Sequence, residues 1–306
     1  MSGGWKSLGG LAVAVALLSF SNTLGAAEPC ADQVPYGAPV SHSEAPAYTQ
    51  NLCKRRDDGV GYYLLRYDRA RSSPLWAAYH LSRSKMLAAA ALDPDRAVFG
   101  GDFDVDPQVS AGGYRAPSDD DFTGVGARGL ARGHLAPAEA LSWDYGAYAA
   151  SFVTSNVAPQ NQRLNGGLWA QLEGNVRAWA CRRGTVYVVT GVVHGAGAPA
   201  PLPRDSGPPI RVPTHLFKVV YTPADGGRAI AFLVENRDYD GGVAALRDAA
   251  VTIDTVEAAA GLDLFPQLPA RIADALEGRA ADPAFWPLVE SSRFNCTRST
   301  LQARAE

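Results

Sequence analysis

Short runs of apolar residues, many of them β-branched, recur along the chain and predict a protein built largely of strands. Turn residues such as glycine, proline and aspartate separate these runs. The strands predicted in this way cover residues 59–68, 74–81, 185–193, 214–221 and 228–235, with the first two forming a hairpin.

Helical signals are fewer. Residues 142–157 predict a short helix and then a strand that ends at Asn156, and short helices are predicted at 251–260 and 268–279. An irregular arm is expected at 28–58, and its K-R-R-D-D stretch at 54–58 is interpreted as a solvated turn. The Gly-, Ser- and Asp-rich stretch at 107–129 is interpreted as an irregular connection.

The most regular helical pattern starts at Asn165 and continues without interruption to Ala180. Its apolar residues recur at helical spacing and predict one buried face, formed by Leu168, Leu172, Val176 and Trp179. A second stripe has residues four apart, namely Asn165, Trp169, Glu173 and Arg177. If this segment stood alone, its asparagine would be interpreted as an N-cap and its glutamate and arginine as a surface ion pair.

The chain has 306 residues, of which 47% are hydrophobic and 19% charged. This composition is globular and sufficient for one large domain with a substantial core, and the sequence contains no internal repeat. The net charge of −3 counts mildly against a nucleic-acid partner, because such proteins are often basic. A local positive site would still be compatible with it.

The first 26 residues have the features of a secretory signal peptide. Lys6 supplies a positive charge, residues 11–20 form an apolar stretch too short to span a bilayer, and small residues follow at 25–27. We therefore expect cleavage after Ala26 or Ala27 and a single domain over residues 27–306. The mature protein is expected to be periplasmic or secreted, without a membrane partner.

Four cysteines remain, and an even number in an exported chain suggests disulfides, although four cysteines allow three pairings. We favour Cys30–Cys53, which would fasten the N-terminal arm to the body and contribute about 3 kcal/mol. The second favoured pair is Cys181–Cys296, which would tie the C-terminus to the end of the 165–180 helix. Zinc is the alternative use, but no Cys-x-x-Cys pair supports it.

Three motifs follow one another in the middle of the chain. They read A-R-G-H-L-A-P at 131–137, S-N-V-A-P-Q at 155–160 and L-N-G-G-L-W-A-Q-L-E-G-N-V-R at 164–177. In this order they resemble the DNA/RNA non-specific endonuclease family, whose members have a ββα-metal (His-Me finger) active site. The resemblance implies an α+β fold with a mixed, mainly antiparallel central sheet flanked by helices. It also implies a metal-dependent hydrolase of DNA and RNA phosphodiester bonds.

The resemblance further implies a role for each site residue. His134 would be the general base, Asn165 the direct ligand of Mg²⁺ (or Mn²⁺), and Glu173 would hold metal-bound waters. Asn156 would brace the histidine or those waters. Phosphate contacts are expected from Arg177, from Arg132, which could instead position its strand, and from Arg96 in the R-A-V-F-G-G-D segment. The implied products carry 5′ phosphates, the substrates are DNA and RNA, and a homodimer is an allowed assembly.

One position departs from the family pattern, because Ala131 stands where the family usually has aspartate before R-G-H. The carboxylate could be replaced from Asp119, Asp120 or Asp121, about ten residues upstream. Alternatively, the chain is a weak or inactive nucleic-acid-binding protein on the nuclease fold. The retention of the histidine, the metal-ligand asparagine and the glutamate argues against that alternative.

Three further features have competing interpretations. Asp102, Asp104 and Asp106 alternate as in a calcium loop, but Pro107 occupies the position that needs glycine, so calcium is rejected. For Lys218, the apolar neighbours leave open whether it points outward or toward substrate. A zinc hydrolase would have to use ligands that lack helical spacing, namely His80, His194 and His215.

Overall fold

A computed structural model of the chain describes residues 1, 30–43, 47–94, 102–111, 113–240, 242–290, 294 and 296–297. The signal peptide predicted over residues 1–26 lies outside this range except for residue 1, and Arg96 also lies outside it. Within the described ranges, no helix is long and apolar enough to cross a bilayer.

The apolar runs lie in strands of the described chain, as predicted. The strands are β1 (Val40–Ser41), β2 (Thr49–Arg55), β3 (Gly61–Asp68), β4 (Ser73–Ser82), β5 (Leu130–His134), β6 (Val157–Asn161), β7 (Thr185–Val193), β8 (His215–Thr222), β9 (Arg228–Glu235), β10 (Ala250–Val251) and β11 (Leu262–Asp263). The α-helices are α1 (Arg83–Leu92), α2 (Pro107–Ser110), α3 (Ala138–Leu141), α4 (Tyr145–Ala150), α5 (Gln162–Leu164), α6 (Ala170–Arg183), α7 (Gly242–Asp248), α8 (Ile253–Ala260) and α9 (Ala270–Leu276). A π-helical turn (Asn165–Trp169) joins α5 to α6.

The main sheet has its strands in the order β10-β9-β8-β7-β4-β3-β2, each antiparallel to its neighbours. The hairpin of β3 and β4 is confirmed, and β7 and β9 have the predicted bounds. With helices packed on both faces, the structure confirms the α+β class and the mainly antiparallel central sheet.

Alternate residues of each strand point to opposite faces of the sheet, so the sheet separates two cores. On β8, Leu216 and Val220 belong to the core that contains α6, whereas Phe217 and Val219 belong to the core that contains α8. The buried face of α6 includes Leu172, Val176 and Trp179, as its helical spacing predicts. A third, smaller cluster of apolar side chains lies around Phe103 and Phe152.

Both favoured disulfides are present, Cys30–Cys53 and Cys181–Cys296. The first joins the N-terminal arm to β2, and the second joins α6 to the C-terminal tail. The predicted cross-links to the body and to the long helix are therefore confirmed.

Two local predictions were wrong, and one helix was missed. The arm at 28–58 contains β2, an edge strand with a register shift between Lys54 and Arg55, and its Lys54 is buried instead of lying in a solvated turn. Helix α1 was not predicted. The strand expected to end at Asn156 instead begins at Val157, because residues 154–156 form a 3₁₀ turn after α4.

Candidate active site

The first part of the candidate site is a two-stranded ribbon of β5 and β6. His134, the last residue of β5, pairs with Val157, the first residue of β6. The buried side chain of Gln160 lies over Gly133, where a Cβ would come within 2.1 Å of it. Glycine is therefore required there, and it lets Gln160 cover the strand beside the histidine.

His134 is half-buried against two aromatic rings. Its ring centroid lies 5.0 Å from that of Phe103 and 5.3 Å from that of Phe152, the latter edge-on. These contacts restrict the imidazole to a narrow range of orientations. A restrained imidazole at a strand end suits proton transfer near neutral pH.

Asn156 holds the chain that follows the histidine. Its amide donates to the carbonyl oxygens of Ala136 and Ser151, at 2.9 and 3.0 Å, and its Oδ1 accepts from the Ala136 N–H at 2.9 Å. The side chain is fully buried, so it contacts backbone and not solvent. This arrangement braces the segment behind His134, one of the two roles considered for Asn156, and leaves no amide hydrogen for metal-bound waters.

A buried ion pair contacts Ser155, the residue before Asn156. Asp106, which caps α2, accepts a 2.6 Å hydrogen bond from the Lys54 ammonium and another from the Ser155 hydroxyl. Lys54 lies on β2, so a charge pair connects the sheet edge, α2 and the residue before Asn156. Asp106 therefore has a structural role here and no calcium-loop geometry.

Arg132 lies on the same face of β5 as His134, with an ion pair to Asp119 and its guanidinium 5.2 Å from the Phe103 ring centroid. Asp119 was one of the carboxylates considered as a replacement for the missing aspartate at Ala131. In the structure it neutralises the arginine next in sequence to that alanine. A phosphate contact by Arg132 would require exchange of this carboxylate for a phosphate oxygen.

The second part of the site is the helix that follows β6. Asn161 caps it, since its side chain accepts from the N–H groups of Arg163 and Leu164, both at 3.0 Å. Asn165 lies inside the helix with φ −58° and ψ −48°, so it is not the N-cap. No hydrogen bond of its side chain is found within the described ranges, which leaves its amide oxygen available to a ligand.

The helix is also not regular. Residues Asn165–Trp169 form a π-helical turn before α6 begins at Ala170, although an uninterrupted α-helix was predicted. Single π-turns inside α-helices often occur at functional sites. Here the wide turn starts at the predicted metal ligand.

Glu173 follows one turn later, on the side of α6 that faces the sheet. Burial raises the pKa of its carboxyl to about 7, against the opposing effect of the nearby positive charges of Lys218 and Arg177. Lys218 does not point outward, because it is fully buried with its ammonium 4.7 Å from the Trp169 ring centroid.

Arg177 does not form the surface pair with Glu173 that the spacing alone would suggest. It is buried and makes a 2.8 Å ion pair with Glu139 of α3, the helix that begins four residues after His134. Both residues line a cleft of about 340 Å³ that also contains Phe152, the aromatic neighbour of the histidine. His134, Asn165 and Glu173 are not among the residues that line this cleft.

An amide oxygen and a carboxylate on one helix are hard oxygen donors of the kind that Mg²⁺ and Mn²⁺ take, so Asn165 and Glu173 fit the metal expected from the resemblance. The other candidate cluster in the described residues is Asp254, Glu257 and Glu277, whose carboxylates lie within 4.8 Å of one another. It is built around α8, on the opposite face of the sheet from α6. No described group of ligands includes a histidine, which leaves the zinc alternative without structural support.

Sequence reasoning missed two buried charged residues at this site, Asp106 and Lys218. For Lys218 a signal existed, since a lysine at an inward-facing position of an apolar strand is unusual. For Asp106 no local signal existed, because its partner Lys54 lies 52 residues away. Arg96, the remaining predicted site residue, lies outside the described residues.

A histidine-bearing β-ribbon followed directly by a helix with an amide and a carboxylate defines the ββα-metal class of nucleases. The model of the DNA/RNA non-specific endonuclease family matches residues 45–271, and the chain belongs to that family. The resemblance drawn from the three motifs is therefore confirmed.

Similar proteins include mitochondrial nucleases. The chain is 31% identical over 248 residues to "Nuclease EXOG, mitochondrial" of Xenopus laevis, a match that covers 76% of the chain and 61% of the relative. It is 32% identical over 224 residues to human "Endonuclease G, mitochondrial", covering 68% of the chain and 69% of that protein. The chain thus spans about three fifths of the length of the EXOG relatives it matches.

A solved structure has the same fold. The crystal structure of an EndoG/EndoGI complex, described as showing the mechanism of EndoG inhibition, matches with a TM-score of 0.58 and 24% identity. The match covers 80% of this chain and 94% of that one. It supports the arrangement of sheet, ribbon and helix.

Proposed function

We propose that the chain is a metal-dependent endonuclease that hydrolyses DNA and RNA with little sequence specificity. One observation carries the proposal: β5 ends at His134, and β6 leads through the Asn161 cap into a helix that bears Asn165 and Glu173. Membership of the nuclease family supports the same activity.

His134 is the proposed general base and takes a proton from the attacking water. A neutral imidazole can do this near pH 7. Phe103 and Phe152 restrict its ring, and Asn156 fixes the backbone directly after it, so the base is held in a defined position. In this mechanism Asn156 is a positioning residue.

The metal site would use the amide oxygen of Asn165 directly and the carboxylate of Glu173 through water. Bound there, Mg²⁺ or Mn²⁺ would supply positive charge against the charge that builds on the phosphate and the leaving oxygen. Arginines would contact the phosphate oxygens, and these contacts carry no sequence information. The proposed arginines are Arg177, Arg132 and Arg96. Departure of the 3′ oxygen leaves 5′-phosphate ends.

Location and assembly are also proposals. The features of residues 1–26 and the two disulfides support export to the periplasm or the medium. The EXOG and endonuclease G relatives are named as mitochondrial proteins. A homodimer is a further expectation, which light scattering of the mature chain would test.

A second candidate is a nucleic-acid-binding protein with weak or absent catalysis. Ala131 favours it, because the family aspartate is missing beside the proposed base. The ion pair between Asp119 and Arg132 reduces the force of that observation, because it places a carboxylate beside the residue that follows Ala131.

Plasmid nicking by the mature chain tests the proposal. Cleavage with Mg²⁺ should disappear with EDTA and in His134→Ala, and should persist in His42→Ala, an exposed histidine that serves as the matched control. Cleaved ends should be labelled by kinase only after phosphatase treatment. Cleavage that survives His134→Ala would refute the assigned base, and binding without cleavage in Mg²⁺ and Mn²⁺ would favour the second candidate.

A further inference from the structure

Lys218 lies on the face of the central sheet that packs against helix α6. Its neighbours two residues away on β8, Leu216 and Val220, are buried in the same apolar core. Across the sheet it pairs with Thr190 of β7 and Phe232 of β9. A lysine at such a position loses its hydration, which proteins tolerate when the charge has a partner.

Hydrogen bonds do not provide that partner. Among the described residues, the Lys218 Nζ makes no hydrogen bond, although the side chain is fully buried. Its ammonium lies 4.7 Å from the ring centroid of Trp169, the last residue of the π-helical turn. The ring face attracts the cation and fixes the position of the ammonium beneath this turn.

The charges around this ammonium come from two helices. Helix α6 contributes Glu173, whose carboxylate interacts with Lys218, and Arg177. Helix α3 contributes Glu139, which is bound to Arg177 at 2.8 Å and exposed on its other side. Arg177 pairs with Glu139 and also acts on Glu173, and of the two cations Lys218 has the larger effect on the Glu173 carboxylate.

We propose that Lys218 is a positioning residue, whose buried positive charge holds the Glu173 carboxylate and the Trp169 ring in place beneath the metal-binding turn. Glu173 is then anchored from the sheet side and presents its carboxylate to the waters of the metal. The part of this role that concerns metal waters rests on the proposed nuclease function. The charge coupling between Lys218 and Glu173 does not depend on the proposed nuclease function.

A double-mutant cycle in EDTA tests the coupling without any need for activity. The free energy of unfolding is measured for the wild type, Lys218→Met, Glu173→Gln and the double variant, with disulfides intact. Methionine keeps the apolar stem of lysine and removes the charge. We expect Lys218→Met to be strongly destabilising. Adding Glu173→Gln to Lys218→Met should raise the folding equilibrium constant about tenfold above that of Lys218→Met alone.

The matched control is Thr190→Val, which removes a polar group from the same face of the sheet without changing charge. Its effect should add to that of Glu173→Gln. If Lys218→Met does not fold alone, the proposal predicts that the double variant folds. Additive effects of Lys218→Met and Glu173→Gln, or a double variant no more stable than Lys218→Met, would overturn the proposal.

Kinetics separate positioning from packing. With Mg²⁺, Lys218→Met should lower kcat about tenfold while the KM for DNA changes by less than about twofold, because the substrate does not reach the buried lysine. A changed KM with unchanged kcat would overturn the positioning role. Absence of cleavage by the wild type would refute the proposed function and leave the stability cycle valid.

Discussion

Lys54→Met should destabilise the protein far more than its sequence context indicates. Lys54 belongs to the K-R-R-D-D stretch, yet its side chain is 8% exposed and its partner Asp106 is 0% exposed. Removal of one member of a buried ion pair leaves the other as an uncompensated charge, at a cost of about 3–5 kcal/mol. Asp106 would keep its hydrogen bonds from Ser155 and from the Gln108 N–H, which moderate the loss without balancing the charge.

The expected shift follows from that free energy. For a chain of this size, 1 kcal/mol corresponds to about 2–4 °C in Tm, so Lys54→Met should lower Tm by roughly 10 °C. The double variant Lys54→Met with Asp106→Asn should recover about half of the loss. Asparagine is also a good N-cap for α2, and it carries no charge that needs a partner.

Unfolding followed by circular dichroism at pH 7.5, with both disulfides intact, would measure these changes. The matched control is Arg56→Met, because Arg56 forms a pair with Asp58 in the same stretch, but both side chains are about half exposed. No measurable change is expected there, since exposed ion pairs contribute little. A loss below about 1 kcal/mol for Lys54→Met would refute the reasoning and show that water screens the Lys54–Asp106 pair.

Three further outcomes are expected. Burial raises the pKa of Glu257 to about 7, so the folded protein retains a proton that the unfolded chain releases near pH 4.5, and stability falls as pH rises between these values. Glu257→Gln should therefore raise the free energy of unfolding by about 1 kcal/mol at pH 8, after allowance for solvent screening, and leave it unchanged at pH 4. Urea unfolding at both pH values would measure this difference. Ala131→Asp should leave plasmid cleavage equal or higher, and a large loss would mean that β5 differs from the family geometry. Glu139→Gln should lower the KM for DNA about twofold, because it removes a negative charge from the cleft and frees Arg177 for phosphate, whereas a raised KM would contradict that role.

The sequence predicted the elements whose local pattern and final environment agree. The β-branched run at 185–193 became β7, in the middle of the sheet, and the spacing of Leu172, Val176 and Trp179 marked the buried face of α6. Strand β2 was missed because T-Q-N-L-C-K-R mixes polar and apolar residues at an edge. Only contact with distant groups such as Asp106 makes this polar segment part of the core.

The sequence identified the side chains of the candidate site, but it did not show their contacts or the shape of the backbone around them. Motifs identified His134, Asn165 and Glu173, yet no local pattern shows that Arg177 pairs with a glutamate from another helix. Nor does spacing reveal the π-helical turn, because a separation of four residues is compatible with both helix types. These properties arise from tertiary packing.

The π-helical turn also lets the helix hold one additional residue while Asn165 and Glu173 stay on one face. A π turn accommodates about one residue more than an α turn, so deletion of Gly166 would let the segment close into a regular helix. Asn165 and Glu173 would then be seven residues apart in a regular α-helix, about 20° short of two full turns, so the two side chains would still lie on one face. A regular α-helix that kept all eight steps would instead turn Asn165 about 80° away from that face, so the wide turn compensates for the extra residue. The register of this helix is therefore as much a part of the site as its side chains.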